Sequence, residues 1–308
     1  MPFLSYILKR LFQAVFVIVV VTLFVSYAIR LTGDPAVMMT GNSASVTEAD
    51  LERIREALDL NRPFIEQYLG FMGGLFTGDL GNSFFRGSVA GLIAQALPAT
   101  LLLALSSILI SILLSIPLGV YAATHRGSIA DQAIRIFSLV GLSFPNFWLA
   151  IMLILLFSVK LQWLPASGFD GLQSLIMPAA TMGVILTATN LRIVRTTMLD
   201  VLSAQYIMVA RAKGLAERQV VYKHALRNSS IALVTYLGLQ FGALMGGVVV
   251  VEMVFNWPGM GSLALQAISQ RDYPVLQAVI SILAIMIVLV NLLVDLAYVA
   301  LDPRIRLE

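Results

Sequence analysis

The sequence predicts an all-α integral membrane protein with six membrane-crossing helices and a helical external segment between the first two. Three observations predict it. The 308 residues are 59% hydrophobic and only 12% charged, and a soluble domain of that size could not cover its surface with polar groups. Apolar runs of about 20 residues or more, the length a bilayer core requires, recur at 11–29, 97–122, 134–159, 176–194, 231–254 and 275–301. The charges also segregate. Of 20 Lys and Arg, 13 fall in the N-terminus, the 123–135 loop, the 192–227 loop and the tail, whereas the opposite side holds 7, together with 11 Asp and Glu. Basic residues gather on the cytoplasmic side. This puts both termini and the 192–227 loop in the cytoplasm and the acidic 31–94 segment outside.

The N-terminal span, within 1–30, follows Lys9 and Arg10. A cleaved signal peptide is the competing reading, since Ser26-Tyr27-Ala28 offers small residues. The apolar run is longer than such a segment needs and favours a retained span. In the 31–94 segment, Thr47 and the acids Glu48 and Asp50 mark a helix start, followed by an apolar stripe at Leu51, Ile54 and Leu58. Pro63 opens a second helix bearing Phe64, Tyr68, Phe71, Leu75 and Phe76. Gly70, Gly74 and Gly78, four apart, predict a close packing seam. Two readings fit this segment: an amphipathic surface lying on the membrane, or a platform for an external partner.

Five spans occupy 95–301, and 302–308 is a cytoplasmic tail. Pro117, Pro145 and Pro178 lie within or at the start of spans 2 to 4, where freed backbone groups need partners from neighbouring helices or a wet cavity. Gly238, Gly242 and Gly246 form a small-xxx-small ridge on span 5, suited to packing within the chain or against another subunit. Between spans 4 and 5 lies a loop, 198–230. Its 205–228 portion carries Arg211, Lys213, Arg218, Lys223 and Arg227 against a lone Glu217. Tyr206, Val209 and Ala210 share a face at helical spacing, and Gly214 supplies a break. A loop that builds its own helices predicts a contact with something.

Chemistry is sparse. Cysteine is absent, which excludes disulfides, thiolate metal sites and a cysteine nucleophile. No G-x-x-x-x-G-K-[ST] motif predicts an ATP site, and no H-E-x-x-H motif occurs. His125 and His224 lie in separate loops without carboxylates at metal-ligand spacing, so neither a metal nor a cofactor site is predicted. The serines within spans lack an activating base, so no catalytic residue is predicted. Two acids fall within spans. Asp295 is expected to pair structurally. Glu252, ahead of the turn containing Asn256 and Trp257, is a candidate with them for a transport path or gate; its other reading is a plain interfacial position. There is no chain of buried acids for a proton relay, so any transport draws its energy from elsewhere.

The stretch from Asp200, D-V-L-S-A-Q-Y-I-M-V-A-R-A-K-G-L, continued by H-A-L-R-N, resembles the cytoplasmic loop of ABC importer permeases, in particular the peptide/nickel group of dipeptide, oligopeptide and glutathione importers. Supporting pieces are Gly33-Asp34-Pro35, Gly78-Asp79-Leu80-Gly81, Phe255-Asn256-Trp257-Pro258-Gly259-Met260-Gly261, Arg271-Asp272-Tyr273-Pro274 and Asp302-Pro303-Arg304-Ile305-Arg306. Two departures stand out. Met208, Val209 and Ala210 replace the Glu-Ala-Ala of the wider importer loop, and Ser229-Ser230-Ile231 lacks the group's usual proline. The resemblance implies the type I importer permease fold in a bacterial inner membrane. It implies half of a translocation path for small peptides, or for nickel or another small solute. The implied partners are a second homologous permease, an external binding protein and two cytoplasmic ATPase subunits that hold the ATP and magnesium. In the loop, Tyr206, Val209 and Ala210 are implied to insert into an ATPase, Arg211 and Lys213 to orient it, and Gly214 to allow the turn. A stand-alone channel or carrier is disfavoured by the scattered Ser, Thr and Asn, and an intramembrane enzyme by the missing nucleophile and base.

Overall fold

The computed structural model describes residues 2–31, 33–34, 36–37, 40, 47–57 and 60–301. Pro35, Leu58, the 302–308 tail, and the side-chain surroundings of Gly246 and Asp295 lie outside the described residues. The helices in order are α1 (Pro2–Arg30), α2 (Glu48–Ala57), α3 (Phe64–Thr77), α4 (Val89–Thr124), α5 (Ile129–Ser143), α6 (Asn146–Leu153), α7 (Leu172–Leu202), α8 (Gln205–Ala212), α9 (Glu217–Gln219), α10 (Leu226–Val254), α11 (Met260–Gln270) and α12 (Tyr273–Leu301). A two-residue antiparallel ladder, β1 (Asn82–Ser83) with β2 (Gly87–Ser88), precedes α4 and was not anticipated in the all-α reading. The chain divides into two compact units, one of Met1–Ala99 with Pro258–Leu289, the other of Thr100–Trp257 with Val290–Glu308.

In the first unit, α1 is tied into the fold by polar contacts that an apolar helix needs when it packs. Thr22, fully buried, shares a 2.9 Å hydrogen bond with Tyr68 of α3, and Gln277 of α12 donates to Ser26 at 2.8 Å. Arg30 stacks over Phe64 at 4.5 Å, a cation–π contact. Val89, Ile93 and Ala96 pack against Met260, Leu263 and Ala267 of α11 and Val275, Ala278 and Val279 of α12. The expected seam at Gly70, Gly74 and Gly78 is not a packing seam. Space beside Gly70 is open, the Asp79 carbonyl crowds Gly74, and Gly78 is the left-handed cap that ends α3.

The β1–β2 hairpin is pinned from a distance. Asp272, fully buried, accepts hydrogen bonds from the Ser83 hydroxyl and, at 3.3 Å, from the Phe84 backbone, while Arg86 donates to Gln266 and Gln270 at 2.7 and 2.9 Å. Asp272→Ala strands both donors, which costs about 1–3 kcal/mol when the site stays dry. The expected result is faster hydrogen exchange across 82–88 with α4 unchanged.

In the second unit, α7 is the hub. A Cβ on Gly183 would lie 2.7 Å from Ile110 of α4, and one on Gly141 of α5 2.8 Å from Ala188. Small residues therefore set both approaches, as expected where helices associate without a hydrophobic driving force. Asn190 donates to Ser111 at 2.8 Å, and Ser138 donates to the Ala188 carbonyl at 2.5 Å. One ion pair joins α5 to α7: Arg195 grips both oxygens of Asp131, at 2.7 and 2.9 Å, with Asp131 only 1% exposed. Gly238 of the predicted ridge packs so tightly on Val294 of α12 that a Cβ would collide with it. Gly242 is half-buried.

The third predicted span is not one straight helix. α5 and α6 meet at 103°, with Phe144 extended and Pro145 opening α6. Proline lacks the N–H that would continue α5 and disfavours helical backbone in the residue before it. α6 then runs into a π-helical stretch, Ile154–Lys160. The second span begins at Val89, eight residues before the predicted 97. Among the described residues, four helices are long and apolar enough to cross a membrane, Leu8–Arg30, Val89–Thr124, Leu172–Leu202 and Tyr273–Val294, and the bent α5–α6 pair brings this to five if it counts as one span.

Candidate functional site

The basic loop folds as predicted in outline, and its orientation is set by packing. Ala204 is extended, α8 follows, and the chain turns at Gly214, whose φ is 78°. Nothing lies within 4 Å of a Cβ built there, so the requirement for glycine is one of backbone rather than space. A side chain in that left-handed conformation costs about 1–2 kcal/mol. After α9, residues Val220–Ala225 form a π-helical turn, with the Leu226 N–H bonded to the Val221 carbonyl, before α10 begins. Such turns recur at functional sites.

α8 has an inner and an outer face. Ile207 and Ala210, at 0% and 9% exposure, join Val220, Val221 and Ala225, Val194 and Met198 of α7, and Val120 and Ala123 of α4 in one buried cluster. Tyr206, Met208 and Val209 point outward at 46%, 56% and 48% exposure. The structure therefore separates residues that helical spacing placed together: Tyr206 and Val209 are presented, and Ala210 is turned inward. The physical reason is that Ile207 is the largest aliphatic residue of α8's inner stripe and takes Ala210, three residues on, with it into the core. Ile207 was the residue that spacing missed, although its apolar character ahead of Val220-Val221 was a visible signal.

The polar residues of the loop also have defined places. Arg211 donates to both oxygens of Glu217, at 2.6 and 3.1 Å, bracing α8 against α9. That bond holds the Glu217 carboxyl below its ordinary range. Tyr206 accepts a hydrogen bond from Asn228 at 2.8 Å, and Lys213 is exposed.

The second candidate group lies at the end of α10. Glu252 and Trp257 are fully buried and Asn256 is exposed. Thr100 donates to Glu252 at 2.6 Å, and the Trp257 N–H donates to the Glu252 carbonyl at 2.8 Å. Phe169 meets the Trp257 ring edge-on at 4.7 Å, and the Gly168 N–H donates to the Phe255 carbonyl at 3.0 Å. Asn256 takes the left-handed conformation, φ 46°, that turns the chain. Thr100 and Phe169 were invisible to sequence reasoning, because nothing local links them to Glu252 or Trp257.

Residues 115–307 match the binding-protein-dependent transport system inner membrane component, and residues 3–104 match the N-terminal part of such membrane components. The glutathione transport system permease protein GsiC of Escherichia coli (strain K12) is 40% identical over 305 residues, 98% of this chain and 99% of that protein. The protein of the same name from Shigella boydii serotype 4 (strain Sb227) is 39% identical over the same span. Among solved structures, an inward-facing form of the MetNI methionine ABC transporter superposes with a TM-score of 0.57 at 21% identity, over 68% of this chain and 96% of that one, a likeness of fold alone. The matches from residue 3 to residue 307, together with the full-length relatives, make this chain a member of the binding-protein-dependent transport system inner membrane components.

Proposed function

We propose that the chain is one permease subunit of an ATP-driven ABC importer for small peptides, with glutathione the foremost substrate. The observation that carries this reading is the 40% identity over nearly the whole length of a glutathione transport permease. In this reading the chain forms half of a path completed by a second homologous permease. An external binding protein delivers the substrate, and two cytoplasmic ATPase subunits bind ATP and magnesium. All six predicted spans cross the membrane, with the bent α5–α6 pair as the third and α10 as the fifth. Both termini and the 205–228 loop face the cytoplasm, and the 31–94 segment faces outward.

The loop is the coupling element. Tyr206 and Val209, with Met208, enter a groove on the ATPase as a helix-in-groove contact. Each large apolar side chain buried there contributes about 1.5–3 kcal/mol. Lys213 orients the helix by charge, and Arg211 does so by bracing it through Glu217. Ala210 and Ile207 carry the motion inward, because they are packed on α7 and α4. Gly214 permits the return towards α10. Gly238, Gly242 and Gly246 keep α10 close to its neighbours. Glu252, Asn256 and Trp257 act as a gate, supported by the buried hydrogen bonds that tie the turn to Thr100 and to the 168–169 backbone and ring. ATP moves this balance only through its different affinity for the two states of the assembly.

The test is uptake of labelled glutathione and dipeptides by cells lacking their own peptide importers and supplied with this chain and its neighbouring transport genes. Uptake is expected to require both this chain and a functional ATPase. Solute movement by the purified chain alone, without ATP, would sink the importer reading. Nickel uptake with no peptide uptake would overturn the substrate.

A further inference from the structure

A cavity of about 480 Å³ opens between the start of α5 and the last third of α7. Four arginines line it, Arg126, Arg135, Arg192 and Arg195, against one carboxylate, Asp131, and the apolar Leu139, Leu191 and Leu199. Asp131 is fully committed. One oxygen takes the Arg195 Nε, and the other takes the second Arg195 nitrogen and, at 3.0 Å, the Gly127 N–H. Among the described residues, Arg126, Arg135 and Arg192 form no ion pair with any carboxylate, and all three are exposed. Three guanidinium groups thus face one concavity whose one acid among the described residues, Asp131, is gripped by Arg195 and also feels the charge of Arg135. Mutual repulsion disfavours that arrangement in isolation, and an anion with several acceptor oxygens relieves it. The planar, five-donor guanidinium matches a phosphate in this way.

The surroundings decide between a soluble phosphate and a lipid. Ile136, Leu139 and Val140, at 60%, 61% and 45% exposure, form a stripe along α5 that leads away from the arginines. Leu139 belongs to both the stripe and the cavity wall. Charged donors at one end and exposed aliphatic residues running from them match a phospholipid, with its phosphate among the guanidinium groups and its acyl chains along the helix. Acyl chains cover such a stripe on any spanning helix, so what favours a lipid is that the arginines stand at its end, where a headgroup phosphate would lie. Basic pockets between spanning helices are a known setting for anionic headgroups.

We propose that the Arg126–Arg135–Arg192 cavity binds the phosphate of an anionic phospholipid in the leaflet that carries the 205–228 loop. The lipid bridges α5 to the end of α7, beside the Asp131–Arg195 pair. It therefore stiffens the base on which α8 rests, since Val194 and Met198 of the same α7 segment belong to the α8 cluster. This goes beyond the transport reading and does not depend on which solute is carried.

The experiment uses the full chain purified with the subunits that accompany it, in detergent micelles doped with phosphatidylglycerol, with phosphatidylcholine, or with inorganic phosphate alone. Unfolding midpoints and lipid retention in native mass spectrometry are read for the wild type, for Arg192→Gln, and for the triple variant Arg126→Gln/Arg135→Gln/Arg192→Gln. Phosphatidylglycerol is expected to raise the midpoint and stay bound, and phosphatidylcholine is not. Apparent affinity should fall about fivefold for each arginine removed, so the single variant stays informative if the triple one folds poorly. An equal effect of phosphatidylcholine, or an unchanged phosphatidylglycerol effect in both variants, overturns the site. If inorganic phosphate reproduces the whole shift in the wild type and not in the variants, the ligand is a soluble phosphate and the lipid assignment fails.

Discussion

Val209→Asp is expected to abolish uptake and the co-purification of the ATPase while leaving the chain folded. Val209 is 48% exposed on the outer face of α8 and takes no part in the buried cluster beneath it. Substitutions of that kind usually change stability by no more than about 0.5 kcal/mol. In the assembled transporter the same side chain is proposed to be covered. Replacing it removes about 1.5 kcal/mol or more of apolar burial and places a carboxylate where it must be desolvated, at a further cost of several kcal/mol. Together these exceed what a small helix-in-groove contact has to spare, so a loss of at least about 100-fold in uptake is expected. Ala210→Asp, one residue on, separates docking from folding. Ala210 is 9% exposed and lies among Ile207, Val220 and Ala225, so a charge there disrupts the loop itself, by about 3 kcal/mol or more. The measurements are ATPase pull-down, uptake and the unfolding midpoint of each variant. Normal uptake by a folded Val209→Asp protein would mean that α8 meets the ATPase through another face, or not at all.

Asp131→Ala is expected to destabilise the second unit by about 3–5 kcal/mol. Asp131 is 1% exposed and satisfies Arg195 twice and the Gly127 N–H once. Without it, a half-buried guanidinium loses its counter-charge at the contact between α5 and α7. Breaking such a pair from one side costs more than the pair contributes, because the remaining charge is left desolvated. The double variant Asp131→Leu/Arg195→Leu removes both charges and should recover most of the loss. The coupling between the two sites, read from the four midpoints as a double-mutant cycle, is expected to exceed 1 kcal/mol. Additive effects would mean that the pair is screened at the surface and does not organise the helix contact.

The parts of this molecule that were legible in the sequence are those that depend on the chain near each residue. Membrane character, the approximate positions of the apolar runs and the basic loop follow from local hydropathy and charge. The break at Gly214 follows from backbone preference at one residue, and the motifs of the 200–228 stretch indicate the family. Pro145 marked an irregularity in the third span, but only the folded chain shows it as a 103° bend. Helical spacing puts Ala210 on one face with Tyr206 and Val209, whereas the folded chain buries it, because spacing within eight residues fits more than one stripe and the choice rests on Val194, Met198 and Val220, which lie outside the helix. The pairs that matter most join residues far apart: Asp131 with Arg195 across 64 positions, Thr100 with Glu252 across 152, and Ser83 with Asp272 across 189. No local preference of a serine, threonine or aspartate encodes such a partner. A polar side chain in an apolar helix determines only that it needs one, and the tertiary packing decides which.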